Sequence, residues 1–394
     1  MNLDQMIELG VKRALEVRKV GAEVSGSKID LYDAVLDLLP TPSSSYEYRK
    51  TGDIFDTTTY TYSLDFGQRI FDTRTIYNII NGSDRLRLAQ SNLSETVSDL
   101  IYEITTGYID LIIGFSTHKN LRLAQARAEE NYRLVRARYE IGSVSRLDLI
   151  QAEIARLRVQ KDLIKSETDI AILEEHLSNL LDTQGYIIPV DTLTRPAEKI
   201  EIEGLKKTLF KQNPQILSAK IGRKMAHRDL IFSYLDMLPV FSVFLSYRYH
   251  SYQPPGSIGE IKDNLDRSFG LRFDLPIFNL KDIILGISKA QVRKRQAELE
   301  LLLTKRRNEE ELARAVLELK TSRSNIDLTT KNLDAAREAL RMAQERYRTG
   351  STSLLSLLTA QEDLNEAEAS YLRALGDYHR ALARISYLIG RGVR

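Results

Sequence analysis

Arg138-Tyr139-Glu140-Ile141-Gly142-Ser143-Val144-Ser145-Arg146-Leu147-Asp148-Leu149 returns 208 residues later as Arg346-Tyr347-Arg348-Thr349-Gly350-Ser351-Thr352-Ser353-Leu354-Leu355-Ser356-Leu357. The Arg-Tyr pair, the Gly-Ser, the later Ser and two leucines coincide. A second match precedes it at nearly the same offset: Leu64-Asp65-Phe66 through Ile70-Phe71-Asp72 lies over Leu271-Arg272-Phe273 through Ile277-Phe278-Asn279. Two matches in the same order mark an internal duplication, and a period this long is not that of a solenoid repeat. The first structural repeat is expected over 1–200 and the second over 201–394.

Outward from the tip motif, both halves read alike. A helical stretch (Leu3 to Leu39; Gln215 to Leu238) ends at Leu-Pro, where a helix tends to stop. A short region of period two follows. Then comes a very long helical stretch, about Thr73 to Ile141 and again Lys281 to Thr349, each a rod of roughly 100 Å at 1.5 Å per residue. Gly-Ser-x-Ser breaks it, and a further helix follows (Arg146 to Leu181; Leu354 to Ile389). The helical portion is thus expected over 1–39, 73–181, 214–238 and 281–390, and the β portion over 43–67 and 240–275. Residues 182–213, which carry Gly185, Pro189, Pro196 and Gly204, read as a linker with a short helix near Leu205 to Lys211.

The period-two segments are the sharpest local signal. Tyr60, Tyr62, Leu64 and Phe66 share one face of a strand, and Thr57, Thr59, Thr61, Ser63 and Asp65 the other. Leu265, Phe269, Leu271, Phe273 and Leu275 alternate with Asp266, Ser268, Gly270, Arg272 and Asp274. Phe241, Val243, Leu245, Tyr247 and Tyr249 alternate with Ser242, Ser246, Arg248 and His250. A weaker strand over Ser43 to Thr51 carries Tyr46 and Tyr48. Runs of about ten residues are long enough to cross an outer membrane when tilted, with polar side chains inward. The same pattern also fits a half-buried strand of a soluble sandwich. Four strands do not close a barrel, and open edges are forbidden in lipid, so a membrane location requires several chains to share one barrel.

The helix after each tip carries apolar residues at three-four spacing. In the first half Leu147, Ile150, Ile154, Leu157, Ile164 and Ala171 make one stripe; Leu149, Ala152, Val159, Leu163, Ile170, Leu173, Leu177 and Leu180 make a second. In the second half the stripe is Leu357, Ala360, Leu364, Ala367, Tyr371, Ala374, Tyr378, Ala381, Ile385 and Leu388. One stripe is the mark of a coiled-coil helix; two offset stripes call for a neighbour on each side, as in a curved layer of helices.

Composition narrows the function. The 56 basic and 54 acidic side chains leave a net charge of +2, which gives no electrostatic footprint for nucleic acid. The chain has no cysteine, so disulfides, thiolate metal sites and cysteine nucleophiles are excluded. No run of eighteen apolar residues marks a transmembrane helix, which leaves a β-barrel open. The polar start, Met1 to Val11, has no apolar signal-peptide core, so an exported chain would have lost its signal. There is no phosphate loop, no His-Glu-x-x-His and no Gly-x-Ser-x-Gly. His118, His176, His227, His250 and His379 are scattered without metal-ligand spacing, so no catalytic residue, metal or cofactor is assigned.

The pattern Arg-Tyr-x-x-Gly-x-x-Ser-x-Leu-Asp-Leu-x-Gln-Ala-Glu at Arg138 to Glu153, its copy at Arg346 to Gln361, the two Ile-Phe-Asp/Asn strand exits, and Asn213-Pro214-Gln215-Ile216 opening a helix that ends at Leu238-Pro239 resemble TolC-like outer-membrane efflux proteins. The resemblance spans essentially the whole chain. It implies a mainly helical, duplicated fold in a homotrimer, whose twelve-stranded transmembrane barrel takes four strands from each chain and continues into a periplasmic α-helical barrel. It implies a passive exit duct in the outer membrane, working with a periplasmic adaptor and an inner-membrane pump of the RND, ABC or MFS type. Tyr60, Tyr62, Phe66, Phe241, Phe269 and Phe273 are then the lipid-facing aromatics.

By the same resemblance the two tips, Gly142-Ser143-Val144-Ser145 and Gly350-Ser351-Thr352-Ser353, lie at the periplasmic end and dock the adaptor. The family's closed tip sets an acidic residue of the first repeat against a tyrosine of the second; the matching positions are Asp148 and Tyr347. Ser356 and Thr359 stand where some members carry acidic pore rings, and Thr352 stands where the gate network has Arg. A soluble coiled-coil scaffold with a small β cap is the competing reading from composition and periodicity alone.

Overall fold

The computed structural model describes residues 1–52, 57–183, 187–194, 204–256, 261, 264–275 and 280–390. Among them the element order is α1 (Leu3–Arg13), α2 (Leu15–Leu36), β1 (Thr41–Thr51), β2 (Thr57–Phe71), α3 (Thr73–Glu140), α4 (Arg146–Leu181), α5 (Leu205–Gln212), α6 (Pro214–Leu235), β3 (Val240–Ser251), β4 (Asp266–Asp274), α7 (Leu280–Arg348) and α8 (Leu354–Leu388). The helix–strand–strand–helix–helix order occurs twice. Gly185, Pro196 and the second strand exit, Ile277-Phe278-Asn279, lie outside the described residues.

Helix boundaries follow local chemistry. α3 contains no proline across its 68 residues. It starts from Asp72, whose carboxylate accepts from the Arg74 amide (2.9 Å) and the Thr75 hydroxyl (3.2 Å), an N-terminal cap. Before Pro40, Leu38 and Leu39 close tight turns onto Val35 and Leu36; before Pro239, Met237 and Leu238 do the same onto Tyr234 and Leu235. Those carbonyls are satisfied by i→i+3 bonds because the proline cannot extend the helix. Pro214 opens α6, where its missing amide hydrogen costs nothing. The stretch expected as one helix from Leu3 is instead divided at Ala14, with φ −50 and ψ 128. No proline or glycine marks that bend, and Ala14 itself is buried in the core.

Two compact units share the chain. The first (Met1–Lys19, Ser94–Pro214, Lys305–Arg394) holds two apolar clusters. One gathers Met6, Leu100, Ile104, Tyr108, Leu111, Ile170, Leu177 and Leu181. The other gathers Val135, Ala152, Leu333, Leu340, Tyr347, Leu354, Leu357, Ala360 and Leu364. Of the two stripes on α4, the one through Ala152, Ile170 and Leu177 is packed inside the chain; Leu147, Ile150, Ile154, Leu157 and Ile164 remain exposed. The stripe of α8 from Leu357 to Leu388 is packed nearly throughout.

The second unit (Val20–Leu93, Gln215–Thr304) holds the sheet and the helical ends beside it. The sheet is antiparallel in the order β1-β2-β3-β4. Tyr62 lies opposite Tyr46 on one side and Tyr249 on the other, and Leu245 opposite Phe66 and Phe269. A bulge between Arg69 and Phe71 brings Phe71 opposite Phe241.

Candidate functional site

Two places carry chemistry that a transport function would use: the sheet and the pair of tips. In the sheet, register puts all six sequence-singled aromatics on one face. Tyr46 and Tyr62 stand 4.6 Å apart between ring centroids, Tyr48 and Tyr60 5.4 Å, Tyr62 and Tyr249 6.1 Å, and Phe241 and Phe273 4.8 Å. Leu271 and Phe269 are 78% and 72% exposed. So much bare apolar surface on a regular sheet face marks a surface that meets something apolar.

The opposite face is hydrogen-bonded and polar. Ser45 and Ser63 share a hydroxyl contact (2.8 Å), and Ser63 donates to Asp65 (2.9 Å). Ser246 also donates to Asp65. Thr61 meets His250 Nδ1 at 3.1 Å. One aromatic breaks the alternation. Phe244 shares the polar face with Ser242 and Ser246, and it lies across Gly270: a Cβ there would come within 2.5 Å of Phe244 Cζ. The Arg272 guanidinium sits over the same ring, 5.5 Å from its centroid. The missing side chain at Gly270 is therefore the seat of the ring, an aromatic covering a strand glycine. Among the described residues β1 and β4 each have a single partner strand, so the sheet presents two edges.

At the tips, Gly142 (φ 74) and Gly350 (φ 75) take the left-handed conformation that only glycine adopts cheaply. Each is the pivot of a paired helix ending. Gly142 and Ser143 donate to the Tyr139 and Arg138 carbonyls at 2.9 and 2.8 Å; Gly350 and Ser351 donate to those of Tyr347 and Arg346 at 3.2 and 2.9 Å. This is the Schellman pattern. Ser145 then caps α4, with Asp148 accepting from the Ser145 amide (3.0 Å) and hydroxyl (2.7 Å) while its own amide donates back to Ser145 Oγ (3.1 Å). Ser353 caps α8 through the Ser356 amide (3.2 Å), and the two hydroxyls meet at 3.0 Å. Ser356 therefore holds the place of Asp148 in a capping box whose second half is a hydroxyl contact.

The structure does not join Asp148 to Tyr347 by a hydrogen bond among the described residues. The Asp148 carboxylate is turned to its own cap, whereas Tyr347 is buried, 8% exposed, among Val135, Leu340 and Leu354. The Arg138 guanidinium covers that ring at 5.2 Å from the centroid. Thr359, Ser143, Ser145, Ser351 and Ser353 are exposed, and Val144 and Thr352 are half-buried. In the sequence Arg138 is marked by the duplicated Arg-Tyr pair, whose spacing belongs to the tip motif and carries no sign of the stack. A second stack, Arg156 over Tyr132 at 4.5 Å with Glu129 at 3.5 Å, joins α3 to α4 and had no such signal.

The histidines are scattered among polar neighbours. His118 meets Ser166 Oγ at 3.0 Å, His176 lies 3.5 Å from Glu103, and His379 Nε2 is 3.1 Å from the Thr194 carbonyl. Burial holds His379 below the ordinary histidine value. No described helix is both long and apolar enough to cross a membrane.

Against known proteins, the chain is 21% identical to nodulation protein T of Rhizobium leguminosarum bv. trifolii over 99% of its own length and 85% of that protein's. It is 22% identical to the outer membrane efflux protein BepC of Brucella suis biovar 1, over 86% of this chain and 71% of the relative. Its fold superposes on the solved structure of the channel CusC with a TM-score of 0.90 at 15% identity, covering 99% of this chain and 92% of that one. Residues 36–183 and 207–391 each match the family described as outer membrane efflux protein, one match for each half of the duplication. The chain belongs to the outer membrane efflux protein family.

Proposed function

We propose that three copies of this chain form a passive exit duct through the outer membrane, closed at the two tips of each chain and opened by a periplasmic adaptor. An inner-membrane pump supplies the energy. The observation that carries this reading is the sheet: four strands, one face bare and aromatic, the other hydroxylated and charged, with an unpaired edge at β1 and another at β4. In hydrocarbon an unpaired edge leaves a row of amides and carbonyls unsatisfied, at several kcal/mol for each group. Pairing β4 of one chain with β1 of the next removes both edges, and three chains give the even strand number of bacterial barrels. Tyr60, Tyr62, Phe66, Phe241, Phe269 and Phe273 then face lipid, and Thr61, Ser63, Asp65 and Arg272 face the lumen.

The family is one of outer-membrane channels rather than enzymes, and we read this chain as a conduit that performs no chemistry of its own. The repeats, 1–200 and 201–394, contribute equivalent walls. Gly142 to Ser145 and Gly350 to Ser353 form the adaptor-docking tips; Asp148, Tyr347, Thr352, Ser356 and Thr359 surround the mouth. With hydroxyls at 352, 356 and 359, that mouth has no acidic ring at those three positions.

Mass measurement on detergent-solubilised protein tests the assembly, with a single species of three chains expected. Planar-bilayer recording tests the conduit, with discrete single-channel steps expected. A monodisperse monomer without channel activity would overturn the reading.

A further inference from the structure

The 208-residue duplication relates surfaces as well as sequence. Within one chain, α3 of the first repeat packs on α8 of the second. Arg127 donates to Asn365 (3.1 Å), and Asn120 and Leu121 line a small cleft with Leu372. At the tip end of the same seam Arg138 covers Tyr347. Shifting each α3 residue forward by one period, and each second-repeat residue back by one, gives a second pair of surfaces. One is on α7, with Leu328 and Arg346 as images of Asn120 and Arg138. The other is on α4 and the end of α3, with Leu157, Ile164 and Tyr139 as images of Asn365, Leu372 and Tyr347.

Both image surfaces are open in the single chain. Leu328 is 64% exposed, Leu157 49%, Ile164 57% and Tyr139 38%. Arg346 is exposed and, among the described residues, makes no ion pair or ring contact in its own chain. The exposed set is apolar where the internal seam has Asn120 and Asn365, and it keeps the arginine and the tyrosine at the tip. Each surface is the image of one side of a seam already formed inside the chain, so its complement exists on another copy of the same chain.

We propose that the α7 face of one copy seats on the α4 face of the next, with Arg346 stacked on Tyr139 of that second copy. This contact repeats the Arg138–Tyr347 stack between chains and rests on the three-chain duct proposed above. The tip ring then carries six Arg–Tyr stacks, three within chains and three between them. A guanidinium over a tyrosine ring holds in a wet tip because the attraction to the ring face survives partial hydration. The heterologous geometry, in which one face meets a different face, closes into a ring.

The cysteine-free chain permits a direct test. Tyr139→Cys with Arg346→Cys, treated with a short bismaleimide in detergent, is expected to shift most chains to covalent dimer and trimer on a denaturing gel. Arg138→Cys with Tyr347→Cys is expected to cross-link within the chain and leave the band at one chain's mass; each single-cysteine variant should give no trimer. Native mass is measured on every sample before treatment. A trimer by native mass that yields no cross-linked trimer from the 139/346 pair would overturn the seam alone. A monomer by native mass would overturn the three-chain duct and the seam with it.

Discussion

Asp84 and Arg228 form an ion pair across 144 residues of sequence, with the Asp84 side chain 2% exposed and that of Arg228 27%. Lys224 stands 3.4 Å from the same carboxylate and Arg87 3.7 Å. A carboxylate so buried is tolerable only while its partners are in place, and removing one partner of a buried pair costs about 3–5 kcal/mol. Arg228→Met is expected to fall at the lower end of that range, because Lys224 and Arg87 remain. Adding Asp84→Asn should recover part of the loss. Urea unfolding of the two variants, compared with the parent chain, measures both effects.

Register in the sheet is tested at two adjacent residues. Leu64 lies opposite Tyr247 on the aromatic face, and Ser63 opposite Arg248 on the polar face. Arginine at a lipid-facing position near the bilayer centre costs about 2–4 kcal/mol and at a lumenal position far less. Leu64→Arg should therefore reduce trimer yield in outer-membrane extracts, and Ser63→Arg should leave it near the parent level. The reverse order would exchange the two faces.

Tyr77 is half-buried and donates to Asp229 at 2.7 Å. Burial first, and then that carboxylate, push its hydroxyl up to about 12. Because the folded value lies above the unfolded one, its contribution to stability is complete below about pH 10 and is lost as pH rises toward about 12. Phenolate absorbance should show several late-titrating tyrosines, Tyr108, Tyr378 and Tyr387 being pushed up as well, and Tyr77→Phe should remove one of them. The variant should also lose stability less steeply than the parent over that interval.

At the tip, Asp148→Ala removes half of a capping box and is expected to cost about 1 kcal/mol of local helix stability. Combined with Tyr347→Phe, which keeps the ring under Arg138 but deletes the hydroxyl, it should leave the trimer assembled and raise single-channel conductance. Unchanged conductance in an intact trimer would move the constriction to Val144, Leu147, Leu354 and Leu355. Because Ser356 and Thr359 carry no charge, multivalent cations should block the parent channel more weakly than acidic-ringed relatives.

How much of this was legible in the sequence depends on the range of the interaction. The strands at 57–71 and 240–251 could be read because each alternates between Tyr, Leu or Phe and hydroxylated residues, and alternation fixes the face. The tips could be read because the left-handed glycine and the capping serine are local and occur twice. Phe244 could not, since its seat is a gap at Gly270 on the neighbouring strand. Nor could the orientation of Tyr347: position in a turn is local, but the side a helix presents is settled by packing against Val135 and Leu340. The bend at Ala14 has no breaker residue to announce it, and Asp84 gives no hint of Arg228 because the pairing is made by tertiary contact alone.

The two bare edges of the sheet carry a genetic consequence. A duct that closes only when three chains meet has a yield that depends steeply on how much chain is present, since folding of the membrane part and association are one equilibrium. A variant able to join but unable to open, expressed equally beside the parent, would leave only about one duct in eight free of it, by random mixing of three subunits. A variant that joins but does not open should therefore be inherited as dominant, whereas loss of the strand edges, which prevents joining at all, should be recessive.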